Sequence, residues 1–370
     1  MSISPGERLF VRLGCEADIR NDGRRKDDLR AFTIETGTVP SATGSARFRQ
    51  GKTDILAVVK AEIGTPDVAA PDEGIVNFAV ECSANMLGTI GAFQGTLGGF
   101  STGMSGPDST GRRDLEALGK LLGSQLSAIY HEGGAIRRKR LCIIPGRKCW
   151  ILNIDCVVFS TDGNLVDALA LAVRAALRTS MIPAVSVVRI GGGPNVADST
   201  TAAADDDDSV DVGSEWRKKR GTATTAAEVK SEMENRLTGS SQVTLHLAGS
   251  ADEWDAVVNE DPAAARCLAR WDRDFPLVIT LNKVGKVLIA DATQEEESCA
   301  ISRVSVALDD KERILGTFKT GTAAISPQAI LEAIAKAAEI ARNLRAMFNR
   351  AYLAALGLDE SNLAEADMDK

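Results

Sequence analysis

The sequence predicts an α+β fold, close to an α/β arrangement, with two β-rich halves, packed helices and one long insertion that is predicted to be disordered. Short apolar segments typical of strands alternate with three amphipathic helical patterns. Only 4% of the 370 residues are aromatic, so the core is expected to be aliphatic. A single stretch, residues 191–269, is poor in large apolar residues and interrupts the order of strands and helices.

Four strands are predicted at the start of the first half. They read AFTIETG, SARFRQG, TDILAVVKAE and IVNFAVECSA, and they begin at Ala31, Ser45, Thr53 and Ile75. Turns that contain Pro, Gly or Lys separate them. The third strand is apolar almost throughout, which predicts burial on both of its faces.

A segment rich in Gly, Ser and Thr, from Gly88 to Gly111, predicts a flexible loop. A helix is expected to follow from about Asp114 to Tyr130, since its apolar residues recur every three or four positions. The strand CWILNIDCVVF comes next, and in the turn STDGN either Asp162 or Asn164 can cap a second helix. The strand AVSVVRI then completes a β-α-β unit.

Residues 191–269 hold a Gly run, an Ala-, Thr- and Asp-rich tract and the basic cluster from Arg217 to Arg220. We interpret that cluster as a solvated charge run, with a localisation signal or an RNA contact as the alternatives. Two hairpins and a long helix from Pro327 to about Ala351 are predicted after the insertion. The domain organisation is therefore a first half at 1–190, the insertion at 191–269, a second half at 270–357 and an acidic tail at 358–370.

The net charge of −8 argues against a protein coated in nucleic acid, although it leaves room for a local cationic groove. Residues 111–148 contain nine Lys and Arg against three Asp and Glu.

An intracellular protein without a membrane segment is expected, because no apolar run reaches the roughly 18 residues of a membrane span. The seven cysteines are read as reduced thiols, and Cys142, Cys149 and Cys156 as buried packing residues rather than metal ligands.

Two motifs invite a chemical interpretation. The tripeptide Gly51-Lys52-Thr53 is not a phosphate loop, because Ala46 stands where that motif requires a glycine. Acidic residues cluster at Asp291, Glu295, Glu296 and Glu297. Such a cluster can hold Mg²⁺ or act in general acid and base catalysis, or it can pair with arginines at a subunit interface or remain in solvent. With two histidines in the chain, a Ser/His/Asp or Cys/His catalytic set is not expected.

Several strings together resemble the RNase PH family, and within it the ring subunits of the RNA exosome related to the inactive partner of the archaeal ring. These strings are DIRNDGRRKDDLR from Asp18, GSARFRQGKTDILAVVKAEIGTP from Gly44, ECSAN from Glu81, CWILNID from Cys149, DGNLVDALALAVRAAL from Asp162 and DATQEEE from Asp291. The resemblance implies the RNase PH fold and a six-membered ring with a central RNA channel.

The resemblance also implies which residues bear on activity. Active members carry an acidic residue where this chain has Arg303, and a guanidinium cannot exchange a proton near neutral pH. They also carry an arginine pair at the start of the helix that corresponds to residues 114–130, and Arg112-Arg113 is similar to that pair. Arg112, Arg113 and Lys120 are therefore the predicted RNA-binding residues, and no catalytic residue, cofactor or metal is expected on this chain.

Two functions follow from the resemblance. The favoured one is a non-catalytic structural subunit of the exosome ring that guides single-stranded RNA. The alternative is a phosphate-dependent 3′–5′ exoribonuclease whose active site is shared with a ring neighbour. The partners it implies are other RNase PH-like subunits, RNA-binding cap subunits, single-stranded RNA and a separately docked nuclease, in the nucleus, nucleolus and cytoplasm.

Overall fold

The structure, a computed structural model, describes residues 4–86, 107–131, 134–190, 253–259, 261, 265–268 and 275–358. The predicted α+β class, with two β-rich halves and packed helices, is confirmed. Most of the predicted insertion, including the cluster from Arg217 to Arg220, lies outside the described residues, and so does the acidic tail after residue 358.

The helices and strands follow one another in an order close to the predicted one. In the first half they are α1 (Pro5–Glu16), β1 (Phe32–Thr36), β2 (Gly44–Gln50), β3 (Thr53–Gly64), β4 (Ile75–Cys82), α2 (Pro107–His131), β5 (Cys142–Ile144), β6 (Lys148–Ser160), α3 (Leu165–Arg178), β7 (Met181–Ile182) and β8 (Val185–Ile190). The remaining ones are β9 (Glu253–Val258), β10 (Arg266–Cys267), β11 (Leu277–Val284), β12 (Val287–Ala290), α4 (Gln294–Cys299), β13 (Ser302–Leu308), β14 (Ile314–Thr320) and α5 (Pro327–Ala355).

The first-half sheet has the strand order β1-β2-β3-β6-β4, and the short β5 pairs with β6. Strand β4 runs parallel to β6, as a crossover through α2 permits, and the other pairs are antiparallel. The prediction that β3 is buried on both faces is wrong. Ile55, Ala57 and Val59 are buried, whereas Leu56 and Val58 remain partly exposed. Helices cover one face of this sheet and leave the other open, so burial alternates along the strand.

The second-half sheet has the order β12-β11-β13-β14 and is antiparallel throughout. Helix α3 packs on β2 and β3 of the first sheet and also on β11 of the second, while α5 packs on β11 and β13. Twelve of the 14 residues of α3 are buried, because the helix lies between the two sheets. A single continuous apolar core therefore joins the two halves.

Helix α1 was not among the predicted elements. Ser4 caps it, and Glu7 returns a hydrogen bond to the Ser4 backbone, so the two residues form a capping box ahead of an apolar face. Val11 and Cys15 on the inner face of α1 pack against Val284, Ile289 and Ala292 of the second half. The N-terminal helix is thus held by residues of the second half.

Two predicted boundaries are corrected by the structure. Helix α2 begins at Pro107, seven residues before the predicted start at Asp114, so the last part of the predicted loop is helical. The predicted insertion also ends earlier than residue 269, because β9 pairs with β8 and β10 pairs with β7. Of the helices that the structure describes, none combines the length and the apolar character needed to cross a membrane.

Candidate functional site

The predicted RNA-binding residues Arg112, Arg113 and Lys120 are exposed on helix α2. The prediction that the arginine pair precedes the helix is wrong, because five residues of α2 come before Arg112. Free backbone N–H groups are confined to the first four residues of a helix, so they do not add to the attraction of these arginines for phosphate. Any such attraction comes from the side chains.

The three cations do not have the same surroundings. Arg112 faces Glu116 one turn along the helix, with 3.9 Å between Nε of the arginine and Oε1 of the glutamate. Lys120 follows Arg113 by seven residues, which is about two helical turns, so these two residues share one face of α2. Glu116 lies on the same face, three residues after Arg113 and four before Lys120, but its ion pair is with Arg112. We call Arg113 and Lys120 the α2 strip.

The opposite face of α2 determines how this strip is presented. Leu115, Leu118, Leu122 and Leu126 are buried against the first-half sheet. A Cβ atom at Gly119 would come within 2.3 Å of the carbonyl oxygen of Val80, so only glycine allows α2 to lie this close to β4. The tight packing fixes the direction in which the cationic face points.

A buried charge cluster lies where the two halves meet, and Asp291 is its centre. The Asp291 carboxylate accepts hydrogen bonds from the backbone N–H of Arg30 at 2.6 Å, from Nη2 of Arg30 at 2.7 Å and from Nη1 of Arg24 at 3.1 Å. It also accepts from Asn164 Nδ2 at 3.1 Å and from Gln50 Nε2 at 3.3 Å. Because Asp291 is 1% exposed, these donors replace the water that its charge would otherwise require.

The neighbouring Glu296 holds a second arginine. Arg20 donates from Nε to Glu296 Oε1 at 2.7 Å, and it also donates to the backbone carbonyls of Ala290 at 3.0 Å and Asp291 at 2.8 Å. Burial disfavours the charged guanidinium, but the hydrogen bonds and negative charge of Glu296 outweigh that effect and raise the pKa of Arg20. This residue stays charged in the interior.

Glu297 connects the cluster to α3 and to Arg303. Its Oε1 atom accepts from the backbone N–H of Asn164 at 2.8 Å, at the start of α3. Arg303 on β13 is 8% exposed, with its Nη1 atom 3.6 Å from Glu297 Oε2 and its Nη2 donating to the Glu297 carbonyl at 3.2 Å. The Arg303 guanidinium is thus paired with a carboxylate of its own chain.

The turn before α3 is shaped by this cluster. Asn164 is the N-cap residue of α3, but its side chain makes no capping hydrogen bond and binds Asp291 instead. The predicted capping by Asp162 or Asn164 side chains is therefore wrong. Gly163 has φ +88°, and a Cβ atom there would lie 2.5 Å from the Ala292 carbonyl oxygen. Glycine at this position lets the turn pack closely against the second half.

The side-chain contacts of the acidic residues between 291 and 297 show which of their predicted interpretations applies. Asp291, Glu296 and Glu297 pair with arginines of the same chain rather than at a subunit interface, and Glu295 is exposed. Asp291 directly follows strand β12, whereas the three glutamates lie in the short helix α4. Among the described residues, no group of three His, Cys, Asp or Glu side chains is placed to hold a metal ion.

The buried carboxyl of Asp167 lies outside the arginine pairs. Asp167 on α3 accepts from the backbone N–H of Thr280 at 2.8 Å and from its hydroxyl at 2.6 Å. Desolvation raises the pKa of Asp167 to about 7, although the hydrogen bonds from Thr280 oppose this shift. The sequence patterns did not identify this residue, which links the two halves beneath the charge cluster.

Two of the predicted core cysteines pack in the interior, and the Gly51 motif forms a turn. Cys149 and Cys156 are buried in the core, as predicted, and the half-buried Cys142 is the strand partner of Cys149. Gly51, with φ +57°, forms the turn between β2 and β3. The Thr53 hydroxyl accepts from the Asp162 backbone N–H at 2.9 Å, so it supports the turn before α3.

Comparison with known proteins adds two family matches and a set of relatives. The 3′ exoribonuclease family, RNase PH, matches through its domain 1 over residues 28–183 and its domain 2 over residues 274–340, together more than half of the chain. The chain is 24% identical over 372 residues to the putative exosome complex exonuclease RRP42 of Dictyostelium discoideum, covering 90% of this chain and 92% of that protein. It is 25% identical over 331 residues to the exosome complex component Rrp42 of Methanosarcina mazei, covering 90% of this chain and 89% of that protein.

A solved structure shares the fold. A chain of the Archaeoglobus fulgidus exosome with RNA bound to the active site has a TM-score of 0.57 and 20% identity, covering 92% of this chain and 97% of that chain.

Proposed function

The chain belongs to the RNase PH, or 3′ exoribonuclease, family, and from this premise we propose that it is a non-catalytic structural subunit of an RNA exosome ring. The relatives named as exosome components align over about nine-tenths of the chain, which supports a place in the same kind of assembly. In this role the chain supports ring assembly and guides single-stranded RNA through the central channel for 3′–5′ processing and degradation.

The observation that carries the proposal is the presence of an arginine, Arg303, at this position of β13. It occupies the position at which active members of the family are expected to carry an acid, and it cannot donate or accept a proton near neutral pH. Its neighbour Glu297 does not take over that role, because it is already bound by the Asn164 N–H and lies beside the guanidinium. Substrate positioning without a proton-exchanging group gives binding without cleavage.

The RNA-guiding part rests on the exposed cations of α2. Arginine and lysine contacts to phosphate give affinity without reading the base sequence, which suits a channel wall. The proposed partners are RNase PH-like neighbours in a six-membered ring, RNA-binding cap subunits and a separately docked nuclease. The proposed location is the nucleus and nucleolus, and also the cytoplasm.

A second candidate function is a phosphate-dependent exoribonuclease whose active site is shared with a ring neighbour. It is favoured by one observation, the word exonuclease in the name of the Dictyostelium relative. In that case this chain contributes phosphate-binding cations to chemistry that a neighbour completes.

Release of nucleoside diphosphates from single-stranded RNA in the presence of inorganic phosphate separates the two functions. We expect none from this chain alone, and in the assembled ring we expect Arg303→Lys and Arg303→Ala to leave the rate unchanged. The exposed Arg342→Ala serves as the matched control. Phosphate-dependent release by this chain, or a selective loss with the Arg303 variants in an intact ring, would establish the enzymatic alternative.

A further inference from the structure

A second cationic surface lies far from the α2 strip. Residues 137–148 contain six Lys and Arg and no acidic residue. They belong to a 3₁₀ turn (Arg138–Leu141), to β5 and to the β5–β6 hairpin. We define the cationic ridge as these six residues, all of them exposed or half-buried: Arg137, Arg138, Lys139, Arg140, Arg147 and Lys148.

The ridge is held in a fixed position by the segment before β4. The Gly146 N–H donates to the Pro71 carbonyl at 2.7 Å, and the Gly74 N–H donates to the Arg138 carbonyl at 2.8 Å. Gly146 has φ +73° and follows Pro145, the combination that a tight type II turn requires. A cationic surface supported by backbone hydrogen bonds loses little conformational freedom when a ligand binds.

Part of the charge on this surface has no carboxylate partner. Arg138 pairs with Glu73, and Lys139 lies 3.6 Å from Asp72. No acidic side chain of the described residues forms an ion pair with Arg147 or Lys148. These two residues present positive charge on a chain whose net charge is −8, so the ridge is a local site of attraction for anions.

A cavity of about 410 Å³ adjoins the ridge, between the start of β4 and the end of α2, and Arg138 belongs to both. Its lining includes Asn77, Ser127 and His131. The Nε2 atom of His131 lies 2.7 Å from the Val76 carbonyl oxygen, which only accepts. Nε2 therefore carries the hydrogen, and in the neutral ring Nδ1 is an acceptor. Amide, hydroxyl and imidazole groups match the hydrogen-bonding edges of a nucleobase.

We propose that the cationic ridge binds the phosphate backbone of single-stranded RNA and that the adjoining cavity holds one of its bases. Asp67 and Glu73 also line the cavity, so a phosphate or an acidic peptide side chain is disfavoured inside it. RNA separates its negative backbone from its neutral bases, which fits a cationic ridge beside a cavity with carboxylates. The inference rests on the proposed RNA-guiding function and adds a second contact surface to it.

The ridge is distinct from the predicted site on α2. His131 at the cavity follows Arg112 by 19 residues of helix, a distance of about 28 Å at 1.5 Å per residue. Both surfaces can therefore contact one RNA strand at separate points, and each can be removed without the other.

The test uses the full chain assembled with its ring neighbours and a fluorescent single-stranded RNA, with affinity measured over a series of salt concentrations. We expect Arg147→Ala with Lys148→Ala to weaken binding roughly 10- to 30-fold at 0.1 M salt. The slope of log affinity against log salt should flatten by about 1.4, at roughly 0.7 per lost contact. Lys286→Ala with Lys311→Ala removes two exposed cations elsewhere and should change neither quantity.

A second pair of measurements addresses the cavity. Ser127→Leu fills it, and we expect weaker binding of the base-containing RNA but unchanged binding of an abasic strand of the same length. The ridge variant should weaken binding of both strands. Equal weakening of both strands by Ser127→Leu would remove the base from the cavity and overturn this part of the inference.

The outcomes also separate this inference from the proposed function. If the ridge variant binds RNA like the wild type while Arg113→Ala with Lys120→Ala weakens binding, the ridge is not an RNA surface and the guiding function stands. If the wild-type ring binds no RNA at any salt concentration, both proposals are wrong. Loss of an acidic protein partner, with RNA binding intact, would assign the ridge to protein contact and overturn the inference.

Discussion

The Nη2 atom of Arg30 lies 2.7 Å from Oδ1 of Asp291, although 261 residues separate them along the chain. Asp291→Asn removes the buried negative charge that Arg24 and Arg30 share and leaves them only their more exposed partners, Asp22 and Asp162. We expect the variant to lose about 3–5 kcal/mol of unfolding free energy, the usual cost of breaking a buried ion pair. Denaturant titration measures the change, and the exposed Asp155→Asn should stay within about 0.5 kcal/mol of wild type. A similar effect of both substitutions would contradict the role given to Asp291.

Asp167 predicts a specific pH dependence of stability. Burial raises its pKa from 3.8 in the unfolded chain to about 7 in the folded protein, so the folded state binds more protons between these values. The contribution of Asp167 to stability is therefore present below about pH 4 and is lost as the pH rises towards 7. At 1.36 kcal/mol per pKa unit, the loss is on the order of 4 kcal/mol. Asp167→Asn should remove this slope from unfolding curves measured between pH 4 and 8, whereas the exposed Glu332→Gln should retain it.

The strip on α2 gives a prediction for RNA binding. Arg113→Ala with Lys120→Ala should weaken single-stranded RNA binding by the assembled ring and flatten its log–log salt slope by about one to two. Arg112→Ala should have a smaller effect, because Glu116 already offsets part of its charge. Salt-dependent anisotropy titrations measure both, with sedimentation showing that the rings are intact. Unchanged affinity and slope would remove α2 from the RNA path.

Deletion of residues 193–250 should leave the fold and the ring assembly intact. Strands β8 and β9 pair so that Ile190 lies opposite Glu253, and paired Cα atoms are about 5 Å apart. The deletion leaves four residues between these two positions, a length that hairpin loops commonly have. Soluble yield, unfolding midpoint and co-purification of ring neighbours are the readouts. Loss of the neighbours with an unchanged midpoint would show that the deleted segment contacts them.

The isolated chain is expected to associate or to bind its neighbours rather than remain a monomer. Leu9, Phe10 and Leu13 on the outer face of α1 are 49%, 68% and 51% exposed, and together they form an apolar patch. Sedimentation velocity at micromolar concentration should show association that Phe10→Ser with Leu13→Ser reduces. Val68→Ser, at a residue that is 97% exposed, should have no effect. A sharp monomer peak for the wild type would contradict this expectation.

Most of the strands and three of the helices, α2, α3 and α5, were predictable because their patterns are local. The apolar run of β3 and the three- and four-residue spacing in α2 and α3 depend only on neighbouring residues. The capping signal of α1 was present in Ser4, Pro5 and Glu7, but it lies outside the apolar segments from which the elements were predicted. Strand β9 was missed because its partner β8 lies some 60 residues earlier and its own surroundings are poor in apolar residues.

The candidate site was less predictable. The acidic run was visible in the sequence, and pairing with arginines was one of its stated interpretations. Which arginines they are is decided by long-range packing, since Arg20 reaches Glu296 over 276 residues and Arg30 reaches Asp291 over 261. A single sequence carries no local pattern that relates such residues. The start of α2 was misplaced for a different reason, because Gly, Ser and Thr before Arg112 lower the helix propensity of a turn that is nevertheless helical.

The distance along the chain between Arg30 and Asp291 also has a consequence for biosynthesis. At roughly 5–20 residues per second, a ribosome needs about 13–50 s to make the residues between them. During that time the nascent first half carries Arg20 without Glu296, and it carries Arg24 and Arg30 with Asp22 and Asp162 but without Asp291. A chain that stops before residue 291 would therefore lack one buried carboxylate partner for each of these three guanidinium groups. The two halves can close on each other only late, after residues 291–296 have left the ribosome.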